Sequence, residues 1–359
     1  MSDLHQGAPA VGPGKGATRA AVPAADERAR VERAAPPEEG GSRLGRMLDS
    51  SAGRNLGLVV VLLLLGVVGA VTAGSTFLTT ANLLTVLTQA SVIGVITVGV
   101  TFVIIGGGID LSVGKVMALA SVWATTVATQ SYGALVMVIC ALAVGAGAGL
   151  VNGALIAYGR IVPFIVTLAT LISAQGLAEQ ISGRRSQIVT DPTIAAIATT
   201  RPLGVPLLVY IFAAVVVVGW VVLNRTTFGR RTFAIGGNPE AARLAGLDVR
   251  RHTALLYVVS GLCAGIAAIM IASLTTTGSS THGTLYELDA IAAAIIGGTL
   301  LAGGRGTIIG SLLGVIVFTT ITNIFILNNL ATEVQNIAKG LIIIGAVLLQ
   351  RRATRTRTT

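Results

Sequence analysis

Cysteine is nearly absent from the chain. Cys140 and Cys263 are the two thiols in 359 residues, each lies mid-way along an apolar run, and neither has metal-ligand spacing. They read as small buried hydrophobes, and the sequence offers no metal site. Histidine is as scarce, with His5, His252 and His282 scattered through tail and loops, so no catalytic constellation emerges. Charge is thin at 11% of residues, and within apolar stretches it is too sparse for a proton relay. A phosphate-binding loop is missing too, since it needs Gly, four residues, then Gly-Lys and Ser or Thr to wrap phosphates and reach magnesium. The nearest stretch, "GIDLSVGKV", has five residues between Gly108 and Gly114, and Val116 follows Lys115. Nucleotide hydrolysis by this chain is therefore not expected.

Apolar and small residues fill the space instead: 53% of the chain is hydrophobic, its mean hydropathy is +0.82, and it contains 45 glycines. A spanning helix needs about 20 mostly apolar residues because its backbone must satisfy itself where water is absent. Ten stretches qualify, at 55–75, 81–105, 112–130, 134–158, 163–181, 203–223, 253–273, 288–303, 307–326 and 336–350. The expected fold is an all-α membrane protein of about ten helices. Residues 1–54, rich in Ala, Pro, Gly and charge, read as a disordered tail before an uncleaved first span. The formal charge of +10 could suit nucleic acid, but basic cytoplasmic loops produce the same total, and hydropathy decides for the membrane.

Lys and Arg accumulate in short cytoplasmic loops, which orients the spans. Arg43, Arg46 and Arg54 precede the first span, six arginines from Arg225 to Arg251 follow the sixth, and Arg351, Arg352, Arg355 and Arg357 follow the last. Ten crossings place all three clusters inside, with both termini cytoplasmic and 351–359 as a basic tail. Arg184, Arg185 and Arg201 then fall outside and stand as an exception. Two rows of glycines four apart, Gly145–Gly149–Gly153 and Gly306–Gly310–Gly314, point to close helix packing in a compact bundle.

The loop at 224–252 contains "NPEAARLAG", a helix specified at both ends. Asn238 suits the N-cap, Pro239 the first helical position and Glu240 the first turn; Arg243 lies within reach of Glu240, and Gly246 supplies a left-handed stop. Such a helix is about 10 Å long, short of the roughly 12 to 15 residues that hold a helix in water unaided. It needs a surface to lean on. Ala241, Ala242, Leu244 and Ala245 offer a small-residue face for a groove in another protein, flanked by Arg230 and Arg231. Packing on the chain's own spans is the plainer alternative.

"EAARLAG" resembles the loop by which permeases of ATP-binding cassette importers contact their ATPase subunits. "FGRRTFAIGGNPEAARLAGLDVRRH", "GVTFVIIGGGIDLSVGKVMALAS", "VPFIVTLATLISAQGLAEQISG" and "YELDAIAAAIIGGTLLAGGRGTIIGSLLGVI" together resemble the ribose-type monosaccharide permeases, in the expected order over about 77–350. That inner-membrane family also includes branched-chain amino acid permeases. Lys115 and Gln175 depart from it, standing where a small polar residue and an Arg are common. The resemblance implies a multi-pass subunit of the cytoplasmic (inner) membrane, paired with a second permease chain that is identical or closely related. It further implies a cytoplasmic ATPase that uses ATP and Mg, and an extracytoplasmic sugar-binding protein. Ribose, xylose, arabinose and galactose are the sugar class. The chain itself binds no cofactor, its surroundings are membrane lipid, and nucleic acid is not a partner.

Candidate pathway residues follow from polarity inside spans. Gly107 and Gly108 interrupt an apolar run just before Asp110 and Ser112, and broken helices at membrane depth often build transporter sites. Asp110 could equally cap the next helix. Asn152, Gln175 and Asp289 join the candidates, beside Glu179, Glu287 and Asn323, although inter-helix hydrogen bonding is the commoner role for each alone. Two rival functions stand against the importer subunit: a self-sufficient secondary transporter or channel for a small polar solute, and a membrane anchor for a cytoplasmic partner.

Overall fold

A computed structural model describes residues 51–355, of which all but a few are helical or in short connections. The first 50 residues of the expected tail and residues 356–359 lie outside the described part. In chain order the helices are α1 Ser51–Ala73, α2 Thr80–Ile105, α3 Val113–Ala124, α4 Val127–Gln130, α5 Ala134–Ala157, α6 Pro163–Ser182, α7 Pro192–Thr199 and α8 Leu207–Arg225. They continue with α9 Thr227–Gly237, α10 Pro239–Leu244, α11 Val249–Thr275, α12 Tyr286–Ile296, α13 Ile308–Leu327 and α14 Thr332–Arg355. Two short strands, β1 Gln187–Ile188 and β2 Thr277–Gly278, pair antiparallel with Gln187 opposite Gly278.

Among the described residues, seven helices are long and apolar enough to cross a membrane: α1, α2, α5, α6, α8, α11 and α13. The other three expected spans take different forms. The stretch 112–130 becomes α3, of 12 residues, and the one-turn α4. The stretch 288–303 becomes the 11-residue α12 followed by an irregular glycine-rich segment. Helices of that length rise about 16–18 Å, little more than half a hydrocarbon core of about 30 Å. The last stretch lies within α14, which runs on to Arg355, so the basic tail expected from 351 begins inside a helix.

The core forms around α2 and α11, which are buried along most of their length, while α1 is mostly exposed. The first glycine row explains how α11 is gripped. A β-carbon at Gly149 would sit 2.9 Å from the Tyr257 carbonyl carbon and 3.0 Å from Val258 Cα, and one at Gly153 would sit 2.7 Å from Ala254 Cα. Backbone lies against backbone there. Gly310 and Gly314 of the second row do the same between α12 and α13, where they face Gly297 and Ala293, whereas Gly306 precedes α13 and faces the side chains of Ile105 and Thr299. Cys263 is buried and Cys140 half-buried, both as free thiols. His252, expected in a loop, stands instead on α11, buried, with Nε2 2.8 Å from Thr232 Oγ1 and its ring 4.5 Å from that of Phe228.

Two connections mark the two ends of α11, about 40 Å apart for its 27 residues. The 226–248 connection, with α9 and α10, precedes its N-terminus, where Asp248 accepts from the Arg251 amide at 3.0 Å. The 183–206 segment is fastened at the other end: Val189 N–H donates to Thr276 O at 2.9 Å, and Ala198 N–H to Ser273 Oγ at 2.8 Å. Arg184, Arg185 and Arg201 are therefore held at the end opposite the denser arginine cluster, with Arg184 paired to Glu179 at 3.2 Å.

Candidate coupling helix and intramembrane polar network

The helix expected at 239–245 is present as α10. Asn238 is in extended backbone with its Oδ1 accepting from Ala241 N–H at 2.9 Å, and Pro239 opens the helix. Gly246 ends it at φ +82°, with Gly246 N–H bonded to Arg243 O at 3.0 Å and Leu247 N–H to Ala242 O at 3.1 Å. A β-carbon would be strained at that angle, which is why the stop requires glycine. Arg243 grips Glu240 through Nη2 at 2.6 Å and Nε at 3.1 Å, in full solvent. The guanidinium's hydrogen bond first, and its charge second, hold the Glu240 carboxyl below the usual glutamate range.

One side chain anchors α10 to its own chain. Ala242 is buried, so it belongs to the packed face, whereas Ala241, Ala245 and Leu244 are exposed, Leu244 to 77%. Arg230 and Arg231 are exposed on α9. An exposed leucine on a helix too short to stand alone is an apolar surface turned toward water.

The pathway candidates separate into several places. Asp110, Ser112 and Asn152 converge, all buried, in a network that ties four helices. Asp110 Oδ1 accepts from Ser112 N–H at 3.0 Å and from Ser112 Oγ at 2.6 Å, and Oδ2 accepts from Ser260 Oγ of α11 at 2.8 Å. Asn152 of α5 donates from Nδ2 to Ser112 Oγ at 2.9 Å, while its Oδ1 accepts from Thr170 Oγ1 of α6. Tyr257 OH donates to Ile109 O at 3.3 Å. The carboxylate thus closes on its neighbours and fixes the start of α3. Ser112, two residues on, is the residue that precedes the first turn, and it makes no side-chain capping bond there.

Gln175 and Asp289 lie apart from that network. Gln175 Nε2 donates to Glu179 Oε1 one turn on, and its own Oε1 is buried with no hydrogen-bond partner. Lys115, near both the Glu179 and Glu287 charges, donates to Thr284 Oγ1 at 2.9 Å. Asp289 meets Lys339 of α14 at 3.1 Å, with both side chains largely buried. Gly107 and Gly108 fall at the α9–α10 end, where Gly107 lies beside Gly236 and Gly303. Asn323 exchanges paired amide bonds with Asn82 of α2, at 2.8 and 3.1 Å, which is an inter-helix role. A groove of about 800 Å³ between α3, α5 and α6 is lined chiefly by apolar side chains such as Trp123, Val151 and Ile165, and a hydroxyl-rich solute would find few partners there.

Sequence reasoning missed Ser260, Thr170 and Tyr257, because single hydroxyls in apolar helices carry no signal of their own. It also missed Lys339, which did carry one: a lysine inside an apolar helix calls for a counter-charge at membrane depth.

The family model described as "Branched-chain amino acid transport system / permease component" matches residues 82–347. The chain belongs to this permease family. It is 38% identical over 300 residues, 82% of this chain and 92% of the relative, to the ribose import permease protein RbsC of Escherichia coli K12. The galactose/methyl galactoside import permease protein MglC of the same strain is 37% identical over 315 residues, covering 81% and 92%. The L-arabinose transport system permease protein AraH, also of that strain, is 35% identical over 256 residues, covering 71% and 78%. No solved structure matches the chain. The permease is thus the membrane component of a transport system, a multi-pass protein of the inner membrane.

Proposed function

We propose that the permease is the translocating subunit of an ATP-binding cassette importer for a monosaccharide of the ribose, xylose, arabinose and galactose class. A separate cytoplasmic ATPase powers it, a second permease chain completes the pathway, and an extracytoplasmic binding protein delivers the sugar. The observation that carries this reading is α10: a helix capped at both ends, held to its own chain by Ala242 alone among its buried side chains, and turning Leu244 to solvent. That is the surface a partner's groove covers. Relatives at 35–38% identity that are ribose, galactose and L-arabinose permeases support import of a sugar.

In this reading α3 and α12 each complete a crossing together with the irregular segments 106–112 and 276–285 beside them, and α14 makes one more, giving ten crossings with both termini cytoplasmic. The arginine-rich 226–248 connection then faces the ATPase, and the 183–206 segment faces the binding protein.

The test is co-purification with the co-expressed ATPase. Replacing Asn238 by Ala removes a cap worth about 1 kcal/mol, and Gly246→Val strains the stop, so both should lower ATPase recovery about fivefold or more. Membrane insertion of both variants should match wild type. Full ATPase recovery and unchanged uptake in both variants would remove α10 as the coupling element.

A further inference from the structure

Three glycine segments from distant parts of the chain meet at one point beside α10. Gly106–Gly108 end α2, Gly236–Gly237 end α9 immediately before the Asn238 cap, and Gly303–Gly304 lie in the connection from α12 to α13. Gly304 N–H donates to Ile105 O at 2.8 Å, joining the end of α2 to that connection. A β-carbon at Gly236 would overlap the Ile105 carbonyl oxygen and stand 2.7 Å from Gly304 N. One at Gly303 would stand 2.8 Å from Gly236 O and 2.9 Å from Gly107 Cα, and one at Gly304 would stand 2.7 Å from Gly237 Cα. Among Gly107, Gly236, Gly303 and Gly304 the contact is backbone against backbone, while Gly106 and Gly108 face the side chains of Leu256 and Tyr257, so at the point where the three segments meet nothing flexible lies between the coupling loop and the ends of two core elements.

This placement has mechanical consequences. A helix displaced by a partner moves its neighbours only through packed, rigid contacts that have discrete arrangements. From α10 two such routes leave. One runs forward through the Gly246 turn and the Asp248 cap into α11, and the other runs back through Gly236 into α2 and the α12–α13 connection. The second reaches α2, which is the helix most completely buried among the seven crossing candidates, and it reaches α12, whose Asp289 holds α14 through Lys339.

We infer that Gly236 is a positioning residue that passes the movement of the coupling helix directly into α2 and the α12–α13 connection, and that bare backbone at this junction is what keeps the two in step. The inference rests on the importer reading, and it is narrower: it concerns transmission after the ATPase has bound. Gly237 supplies the control, because a β-carbon there meets nothing within 4 Å while its place at the end of α9 is nearly the same.

The experiment uses the full permease with its ATPase and binding protein in proteoliposomes, reading radiolabelled ribose, galactose or arabinose taken up per ATP hydrolysed. Gly236→Ala should keep wild-type ATPase recovery and continued hydrolysis while uptake per ATP falls about tenfold, within the range for residues that alter coupling without touching either ligand. Gly237→Ala should stay within about twofold of wild type, the lower end of that range. Equal ratios in Gly236→Ala and wild type would overturn the inference and leave the importer reading standing. Failure of the wild-type permease to recover any ATPase would overturn the importer reading and this inference with it. If Gly236→Ala does not insert, hydrogen exchange on the wild-type complex decides. Trapping with ATP and vanadate should change exchange in 103–110 and 298–307 together with 232–245, and a change confined to 232–245 would overturn the inference.

Discussion

Asp110→Ala is expected to destabilise the permease by about 3 kcal/mol and to abolish uptake. The carboxylate accepts three hydrogen bonds, from Ser112 N–H, Ser112 Oγ and Ser260 Oγ, and bonds of this kind within membranes contribute about 0.6 to 1.7 kcal/mol each. Removing it strands two hydroxyls and an amide at the point where α3 begins, with Asn152 held on the same Ser112 hydroxyl and Thr170 held in turn on Asn152. Asp110→Asn keeps one acceptor oxygen and should fall between. Thermal unfolding in detergent, followed by a thiol-reactive dye that reaches the buried Cys263 only on unfolding, reads the effect directly. An unchanged midpoint for Asp110→Ala would show that the network does not hold the break in place.

The second large effect is expected at Gly149. Alanine there drives a methyl group into the backbone of Tyr257 and Val258, where no side chain can swing aside. Overpacking of this kind costs about 1 to 3 kcal/mol, and parting α5 from α11 also disturbs Tyr257 and the Ser260 bond just beyond it. Gly147→Ala is the matched comparison, since it lies on the same helix with nothing within 4 Å of an added β-carbon. It should leave the unfolding midpoint unchanged or raise it. Equal midpoints for the two variants would mean that α5 and α11 are not in close backbone contact.

What the sequence made legible was local or periodic. The ends of α10 were readable because an N-cap asparagine, a first-turn proline and a left-handed glycine all fall within 238–246. The glycine row on α5, and Gly310 and Gly314 on α13, were readable because a spacing of four puts residues on one helix face. Span boundaries held where apolar length alone sets them, as for α13, expected at 307–326 and observed at Ile308–Leu327.

Other features depend on what meets what. Asp110, Ser112 and Asn152 were recognisable as polar groups at membrane depth, but their closing on Ser260 and Thr170 requires four helices to converge, and no spacing encodes that. The junction of Gly107, Gly236 and Gly303 unites segments more than 60 residues apart. The burial of Ala242 is not legible because α10 is too short for periodicity to distinguish its sides. The short α3 and α12 were hidden because hydropathy sums apolar residues without asking whether they are helical, so residues 125–130 after α3 and the glycine-rich segment after α12 were counted into the spans.

The central claim is that work from another subunit's nucleotide cycle enters this membrane bundle through α10. Proteoliposomes containing the permease, with binding protein outside and labelled ribose, galactose or arabinose present, test it most directly. Accumulation above the external level should occur only when the ATPase is co-reconstituted and ATP is sealed inside; accumulation by the permease without the ATPase would contradict the account.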